Sequence, residues 1–243
     1  VVFTGLADRP RWLLAYALGT LMDILLATVR WFSQPEHWFG DAGILLRLRE
    51  HIYYVLISIA CSSAIALPLG IALGYWRKGA FLIINLFNIG RAIPSLGLIL
   101  LCIILFGFND VPVFAALVAM SIPPVLTNTW VGIYHADRPL CDAATALGMT
   151  PWQSLWQLRI PLAAPLIIAG LRTALVQLIA TAVVAAYAGL GGLGRFLIDG
   201  LGQRDIPQVI AGSLVVSLLA IGSELLFSCC SRKWSHTAIA PEY

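Results

Sequence analysis

The sequence predicts an all-α integral membrane protein, and two properties of the chain support this fold class. Of its 243 residues, 60% are hydrophobic and only 11% are charged, and the mean hydropathy is +0.88. Soluble domains contain about 25% charged residues. The apolar residues also form long runs, each close to the ~20 residues that a helix needs to cross a bilayer. We therefore expect a multi-pass protein whose backbone hydrogen bonds are satisfied within helices.

Six apolar runs, bounded by charged residues, glycine or proline, are candidate spans. They lie at residues 13–32, 52–75, 80–106, 112–134, 161–187 and 207–229. The last five are long enough to cross with some tilt, and they form the predicted core. The first run has a polar stripe containing Asp23 and Arg30, so it either lies in the membrane interface or spans with that stripe packed inward.

This pattern divides the chain into three predicted regions. Residues 1–50 form an N-terminal amphipathic or transmembrane helix followed by an outside linker. Residues 51–230 form the transmembrane domain, with a polar loop at 135–160, and residues 231–243 form a tail. Within the core, Gly70 and Gly74 are four residues apart, which favours a close helix–helix contact.

Composition and spacing exclude several functions. The net charge of +3 and the absence of a basic run give no support for nucleic-acid binding. Five cysteines, an odd number without C-x-x-C spacing, and four scattered histidines predict neither a disulfide framework nor a metal site. Without a phosphate-binding G-x-x-x-x-G-K-[ST] loop, the chain is not expected to hydrolyse ATP itself.

A polar segment between the third and fourth core runs predicts a structured loop. A short helix containing Asp142 ends at Gly148, and Thr150 begins a second one as a capping-box residue. Asp142 near the helix start suits the positive end of the helix dipole. The small residues Ala143, Ala144 and Gly148 allow another protein to approach closely, and Pro161 returns the chain to the membrane. The alternative is an ordinary helical connector.

Prolines inside two spans predict interruptions. Pro94, followed by Ser95, lies near the middle of the third apolar run, and Pro123 and Pro124 lie in the next one. Proline removes a backbone donor, which is tolerated at membrane depth only where protein or a water-filled cavity satisfies the freed carbonyls. These breaks are expected to line or hinge a polar path. The alternative is that they are kinks in packed helices.

Three charged residues fall within the five core runs, namely Arg91, Arg172 and Glu224. An unpaired charge in the hydrocarbon costs several kcal/mol, so pairing is expected. Glu224 can pair with Arg172 or with Arg91. A structural ion pair is favoured over a substrate-binding charge, because one acid serves two bases.

Glycines and aromatic residues predict the ends of the path. The turn containing Gly191, Gly192 and Gly194 follows a span, so it is not a dinucleotide-binding loop, which would need a preceding strand. Tyr187 and this turn are the predicted outer gate of the path. Trp130 is the predicted contact at its exit. The alternative role of the aromatic residues is anchoring at the bilayer interface.

The spacing from Asp142-Ala143-Ala144 through Gly148 to Leu158-Arg159-Ile160-Pro161 resembles the "EAA" loop of ABC importer permeases, with Asp in place of the usual Glu. Five further strings resemble the osmoprotectant branch of this family, which imports glycine betaine, choline, carnitine and proline betaine. They are RAIPSL (91–96), PVLTNTWVGI (124–133), AATALGMT (143–150), AGLRTA (169–174) and GGLG (191–194). Together with the alternating spans they cover about residues 50–230.

The resemblance implies a type I importer permease with five core transmembrane helices plus an N-terminal helix. It implies that the 135–160 loop contacts a separate ATPase, which binds ATP and Mg²⁺, and that this chain holds no cofactor. The further partners it implies are a second copy or a related permease, an extracytoplasmic substrate-binding protein and the lipid bilayer. The alternatives are a permease of the same fold for methionine, phosphonate or another small solute, and a channel or intramembrane enzyme.

The orientation follows from the same loop. If it is cytoplasmic, alternation of the spans also places Arg77, Lys78 and the tail inside, and more of the fifteen Lys and Arg residues then lie inside than outside. This agrees with the positive-inside rule. The expected location is a bacterial-type inner or plasma membrane.

Overall fold

A computed structural model describes the backbone of residues 11–238 and the side chains of residues 18–229. Regular secondary structure in this part of the chain is helical. The α-helices are α1 (Arg11–Ser33), α2 (Ile44–Trp76), α3 (Ala80–Gly90), α4 (Ser95–Phe106), α5 (Val111–Tyr134), α6 (Arg138–Ala146), α7 (Pro151–Gln153), α8 (Ile160–Thr181), α9 (Gly194–Gln203) and α10 (Ile206–Ala238). Two short 3₁₀ helices are formed by Pro35–His37 and by Ala182–Ala188.

The centre of the fold is α5, which packs between α2 and α8. Glycines permit both contacts. A Cβ atom at Gly74 would lie 2.7 Å from Ile133 Cβ, and one at Gly70 would lie 2.8 Å from Thr129 Cβ. On the other side, a Cβ at Gly170 would come within 2.9 Å of the Pro124 carbonyl. The predicted close contact at Gly70 and Gly74 is confirmed.

Two contacts show that α2 and α5 run parallel. Near their beginnings, the rings of Tyr54 and Phe114 meet edge-on with centroids 5.8 Å apart. At their ends, the Arg77 guanidinium donates a hydrogen bond to the Tyr134 carbonyl at 3.0 Å. The segment between these helices must therefore bring the chain back from one end of the bundle to the other.

That segment is a bent pair of helices. α3 and α4 have 11 and 12 residues, about 17 Å each at 1.5 Å per residue, so neither crosses a bilayer alone. They meet at 92° across a short break that contains Pro94. Because α2 ends and α5 begins at opposite ends of the bundle, the pair makes one broken crossing. The predicted interruption at Pro94 is confirmed.

Within residues 11–238, four long helices are apolar enough to cross a membrane, and the bent pair brings the number of crossings to five. The four are Ile44–Trp76, Val111–Tyr134, Pro151–Ala188 and Ile206–Cys229. This matches the five predicted core spans. α1 forms the predicted N-terminal helix, and Asp23 and Arg30 are both exposed on it.

The expected break at Pro123 and Pro124 is wrong, because α5 continues through both residues. Both are buried at the centre of the bundle. Side chains of the same helix bond to backbone carbonyls around them: Ser121 Oγ donates to the Leu117 carbonyl at 2.9 Å, and Asn128 Nδ2 donates to the Pro124 carbonyl at 2.8 Å. Neither bond reaches the carbonyls of Ala119 and Met120, which the two prolines leave without helical donors, so packing between α2 and α8 keeps the helix intact.

Several helix boundaries differ from the sequence prediction. α2 begins at Ile44 instead of residue 52, so much of the predicted outside linker is helical. α10 continues to Ala238, so the predicted tail begins as helix. The predicted fourth core span starts earlier, because α7 continues through a π-helical segment, Ser154–Arg159, into α8. Residues 1–10 and 239–243 of the predicted terminal regions lie outside the described part, and the division into regions stays a prediction.

Candidate functional sites

The first candidate site is the knob, defined as residues 137–153, at the end of the bundle where α2 and α5 terminate. Its first helix, α6, begins at Asp137, whose side chain accepts a hydrogen bond from the Leu140 backbone N–H at 3.4 Å. Asp137 is therefore the N-cap. The predicted position of Asp142 at the helix start is wrong, because α6 begins one turn earlier. Asp142 lies inside α6 and is exposed.

The end of α6 is closed by two backbone hydrogen bonds. The Met149 N–H donates to the Ala144 carbonyl and the Gly148 N–H donates to the Thr145 carbonyl, both at 3.0 Å. This pair of bonds is a Schellman motif, which requires a left-handed residue just after the helix. Gly148 supplies it with φ of +88°. The predicted stop at Gly148 is confirmed.

The second half of the knob begins with the predicted capping box. The Gln153 backbone N–H donates to Thr150 Oγ1 at 3.3 Å, and the Thr150 backbone N–H donates to Gln153 Oε1 at 2.9 Å. Pro151 occupies the first turn, where its missing N–H is harmless. The cap that ends α6 and the cap that begins α7 therefore lie within the three residues 148–150. This fixes the shape of the knob.

The outward surface of the knob differs in one respect from the prediction. Ala143 and Gly148 are exposed, but Ala144 is buried against this chain and does not form part of that surface. Sequence reasoning missed Leu147, which is 87% exposed, and Leu140, seven positions earlier on the same helix face. The signal available for this apolar contact was the seven-residue spacing of two leucines in a segment whose other residues are mostly polar or small. The knob thus presents an apolar contact next to the carboxylate of Asp142.

The ends of α2 and α5 are joined to each other three residues before the knob begins. Arg77 ends α2 in a left-handed conformation with φ of 56°, and its guanidinium lies 4.8 Å from the centroid of the Tyr134 ring at the end of α5. Trp130 and Tyr134 share one helix face, with ring centroids 5.3 Å apart. Trp130 is half-buried, and its Nε1 has no hydrogen-bond partner among the described residues. Pro161 is exposed in the first turn of α8.

The second candidate site is the glycine turn, residues 189–194, at the opposite end of the bundle. The backbone N–H of Gly192 donates to Glu50 Oε2 at 2.7 Å, and Arg47 donates to the same oxygen at 2.9 Å. A Cβ atom at Gly191 would lie 2.0 Å from that oxygen, and one at Gly194 would lie 2.0 Å from the Val183 carbonyl. The turn therefore requires glycine for close approach, and it is held by the first turns of α2.

Sequence reasoning missed the residues of α2 that hold this turn, because it assigned them to a linker. His51 follows Glu50 and is fully buried, with Nε2 3.0 Å from the Ile179 carbonyl. Tyr187, in the preceding 3₁₀ helix, is 57% exposed. The structure thus places Tyr187 and the predicted gate glycines at one end of the bundle.

The third candidate site is a cleft of about 580 Å³ between α8 and α10. Its lining residues are Ala169, Arg172, Thr173, Val176, Gln177, Ala180 and Glu224. Arg172 donates to Glu224 in an ion pair. Of the two pairings that the sequence left open, the structure forms this one, and Arg91 lies exposed at the end of α3. Ser95 begins α4 beyond the bend and is half-buried.

Comparison with protein families gives one match that covers most of this fold. A family model described as "Binding-protein-dependent transport system inner membrane component" matches residues 66–236. The chain belongs to this family of transport permeases. The match includes the knob, the glycine turn and the cleft, so all three candidate sites are parts of the permease.

Proteins similar in sequence to this permease are named as permeases for osmoprotectants or for glycine betaine, carnitine and choline. The glycine betaine/carnitine/choline transport system permease protein OpuCB of Bacillus subtilis (strain 168) is 36% identical over 190 residues, which cover 78% of this permease and 88% of that protein. The choline transport system permease protein OpuBB of the same organism is also 36% identical over 190 residues, with the same coverage. The osmoprotectant import permease protein OsmY of Salmonella typhimurium is 30% identical over 218 residues, covering 88% and 92%.

Solved structures share the fold. A structure of the MetNI methionine ABC transporter in an inward-facing conformation matches with a TM-score of 0.70 at 20% identity, covering 83% of this permease and 98% of that chain. An amino acid ABC transporter with histidines matches with a TM-score of 0.62 at 20% identity, covering 78% and 93%. The permease therefore has the all-helical fold of the type I ABC importers.

Proposed function

We propose that this permease is the membrane-spanning subunit of an ATP-driven importer for osmoprotectants, with glycine betaine, choline, carnitine and proline betaine as candidate solutes. The observation that most supports this is the 30–36% identity, over most of their length, to permeases named for these solutes. The methionine transporter shares the fold at only 20% identity, so it gives no comparable support for methionine.

The knob is the proposed contact with a separate ATPase, which would bind ATP and Mg²⁺. Three features of its geometry support this role. Its shape is fixed by a Schellman motif and a capping box, it presents the exposed Leu147, and the helical span Pro151–Ala188 leads from it directly into the bundle. A rigid knob attached to membrane helices transmits a push, whereas a flexible loop absorbs it.

The remaining partners follow from this arrangement. The knob end faces the cytoplasm, and the glycine-turn end faces a substrate-binding protein on the outer side. A second permease, identical or related, covers the polar cleft between α8 and α10, because exposed charges of this kind are unfavourable toward lipid.

The test is reconstitution of the permease in proteoliposomes with its ATPase and its substrate-binding protein. We expect uptake of labelled glycine betaine or choline that requires ATP on the knob side and the binding protein, and that excess methionine does not reduce. ATP-dependent methionine uptake without uptake of either amine would overturn the assignment in favour of the same-fold alternative. An assembled complex without nucleotide-dependent uptake of any of these solutes would overturn it altogether.

A further inference from the structure

The cleft between α8 and α10 contains charged and polar side chains that lipid would not favour, within an otherwise apolar lining. Arg172, Thr173 and Gln177 of α8 and Glu224 of α10 face it, and the side chains of Arg172 and Glu224 are 38% and 40% exposed. A charged side chain exposed to hydrocarbon costs several kcal/mol, so such residues face a bundle interior or a water-filled cavity. This surface therefore belongs to the path or to the junction with a second permease.

The α8 residues that line the cleft form one continuous stripe, of which Arg172, Thr173 and Gln177 are the polar members. Positions 169, 172, 173, 176, 177 and 180 of α8 are three or four residues apart, so they share one face of the helix. Elsewhere α10 exposes Leu218, Leu225 and Leu226, which suit contact with lipid. The contrast between these surfaces distinguishes the cleft from the membrane-facing surface.

We propose that the Arg172–Glu224 pair is an exchange site for a zwitterionic solute, a proposal that rests on the osmoprotectant function above and names a binding site for it. The solute's carboxylate replaces Glu224 at the Arg172 guanidinium, and its quaternary ammonium group replaces Arg172 at the Glu224 carboxylate. A planar guanidinium suits a carboxylate because it offers two parallel N–H donors. A quaternary ammonium has no N–H group, so a negative charge can attract it without hydrogen-bond geometry.

The exchange is favourable because it leaves no charge uncompensated. Breaking an ion pair in a sheltered site by removing one partner is costly, since an unpaired charge remains there. A zwitterion supplies both replacement charges at once, and the protein pair re-forms when the solute leaves. The pair can therefore admit a zwitterion without holding it permanently. A cation without a carboxylate, such as choline, engages Glu224 only.

The experiment compares glycine betaine with choline in the reconstituted importer, using Arg172→Gln. Because the binding protein influences the apparent affinity, the informative quantity is the uptake rate at saturating solute. We expect the ratio of glycine betaine to choline uptake to fall about tenfold, the effect of losing one hydrogen bond to a charged group. Arg195→Gln is the matched control, since it breaks an ion pair with Asp199 of similar exposure outside the cleft. It should leave the ratio unchanged.

A purely structural pair gives different results. In that case Arg172→Gln reduces both uptake rates equally, and the double variant Arg172→Gln/Glu224→Gln restores both, which would overturn the proposal. A wild-type importer that transports choline but no zwitterion would also overturn it, while leaving the osmoprotectant function intact. Failure of the wild type to transport any of the candidate solutes would instead refute the proposed function.

A second measurement keeps the pair intact. Thr173→Cys, in a background without the five native cysteines, places a thiol in the cleft for a water-soluble maleimide. We expect saturating glycine betaine to slow labelling at least threefold in the complete importer under turnover. A labelling rate that glycine betaine leaves unchanged contradicts binding at this site.

Discussion

At the scale of single residues, this permease depends on glycines that lie against backbone atoms. Gly194 is the clearest case, because an added Cβ would lie 2.0 Å from the Val183 carbonyl oxygen and 2.8 Å from its carbon. Both are backbone atoms, which cannot rotate away as a side chain can. The glycine turn therefore fits its place only when this position has no side chain.

We expect Gly194→Ala to lower the free energy of unfolding by at least about 2 kcal/mol, because overpacking of a fixed contact typically costs 1–3 kcal/mol. The measurement is thermal unfolding of the purified permease in detergent. Gly202→Ala is the control, since a Cβ there meets no atom within 4 Å. Alanine also has the higher helix propensity, so this control should keep or slightly raise the stability. Equal stability of both variants would contradict the close contact.

At the scale of elements, the first turns of α2 hold the glycine turn through Glu50. Its carboxylate accepts hydrogen bonds from the Gly192 N–H and from Arg47, and the side chains of Arg47 and Glu50 are mostly shielded from solvent. The contact joins segments 142 positions apart in the sequence. It therefore fixes the N-terminal ends of α2 and α9 relative to each other.

We expect Glu50→Gln to destabilise the permease by about 1–2 kcal/mol, because glutamine keeps the shape and one acceptor oxygen but loses the charge that strengthens both bonds. Glu36→Gln, at an exposed glutamate, is the matched control and should have little effect. Both are compared by thermal unfolding. If Glu50→Gln unfolds at the wild-type temperature, the carboxylate does not hold the turn.

The elements that the sequence predicted correctly are those set by local chemistry. Gly148 and Thr150 indicated the two helix termini of the knob because caps depend on residues only a few positions apart. Pro94 indicated the bend, but Pro123 and Pro124 did not produce one, because a helix buried between two neighbours keeps its course. The positions of prolines in the sequence do not reveal whether the helix is packed in this way.

The parts that the sequence did not predict depend on distant contacts. The role of Glu50 required knowing that α2 begins early and meets a turn far along the chain. Ala144 could not be separated from Ala143 without the direction of α6 relative to the bundle. The partner of Glu224 remained open between Arg172 and Arg91 for the same reason, and only the packing of α8 against α10 decided it.

At the scale of the whole molecule, the three candidate sites are arranged from one end of the helix bundle to the other. The glycine turn lies at one end of the bundle, the charged cleft lies along α8 and α10, and the knob lies at the other end. One continuous helical span, Pro151–Ala188, contains α8 and connects all three, since it starts in the knob and leads to the glycine turn. Movement of the knob therefore has a direct mechanical connection to the cleft.

The central claim, that the knob couples a separate ATPase to transport, is tested most directly at Leu147. In the reconstituted importer we expect Leu147→Asp to leave the stability of the permease unchanged, because this side chain is 87% exposed. Solute uptake should fall at least tenfold, and ATP hydrolysis should no longer respond to the loaded binding protein, because a charge replaces an apolar contact at the interface. Leu147→Met, which keeps an apolar side chain of similar volume, should retain at least half of the uptake. Wild-type uptake and stimulated hydrolysis in a normally assembled Leu147→Asp importer would contradict the claim.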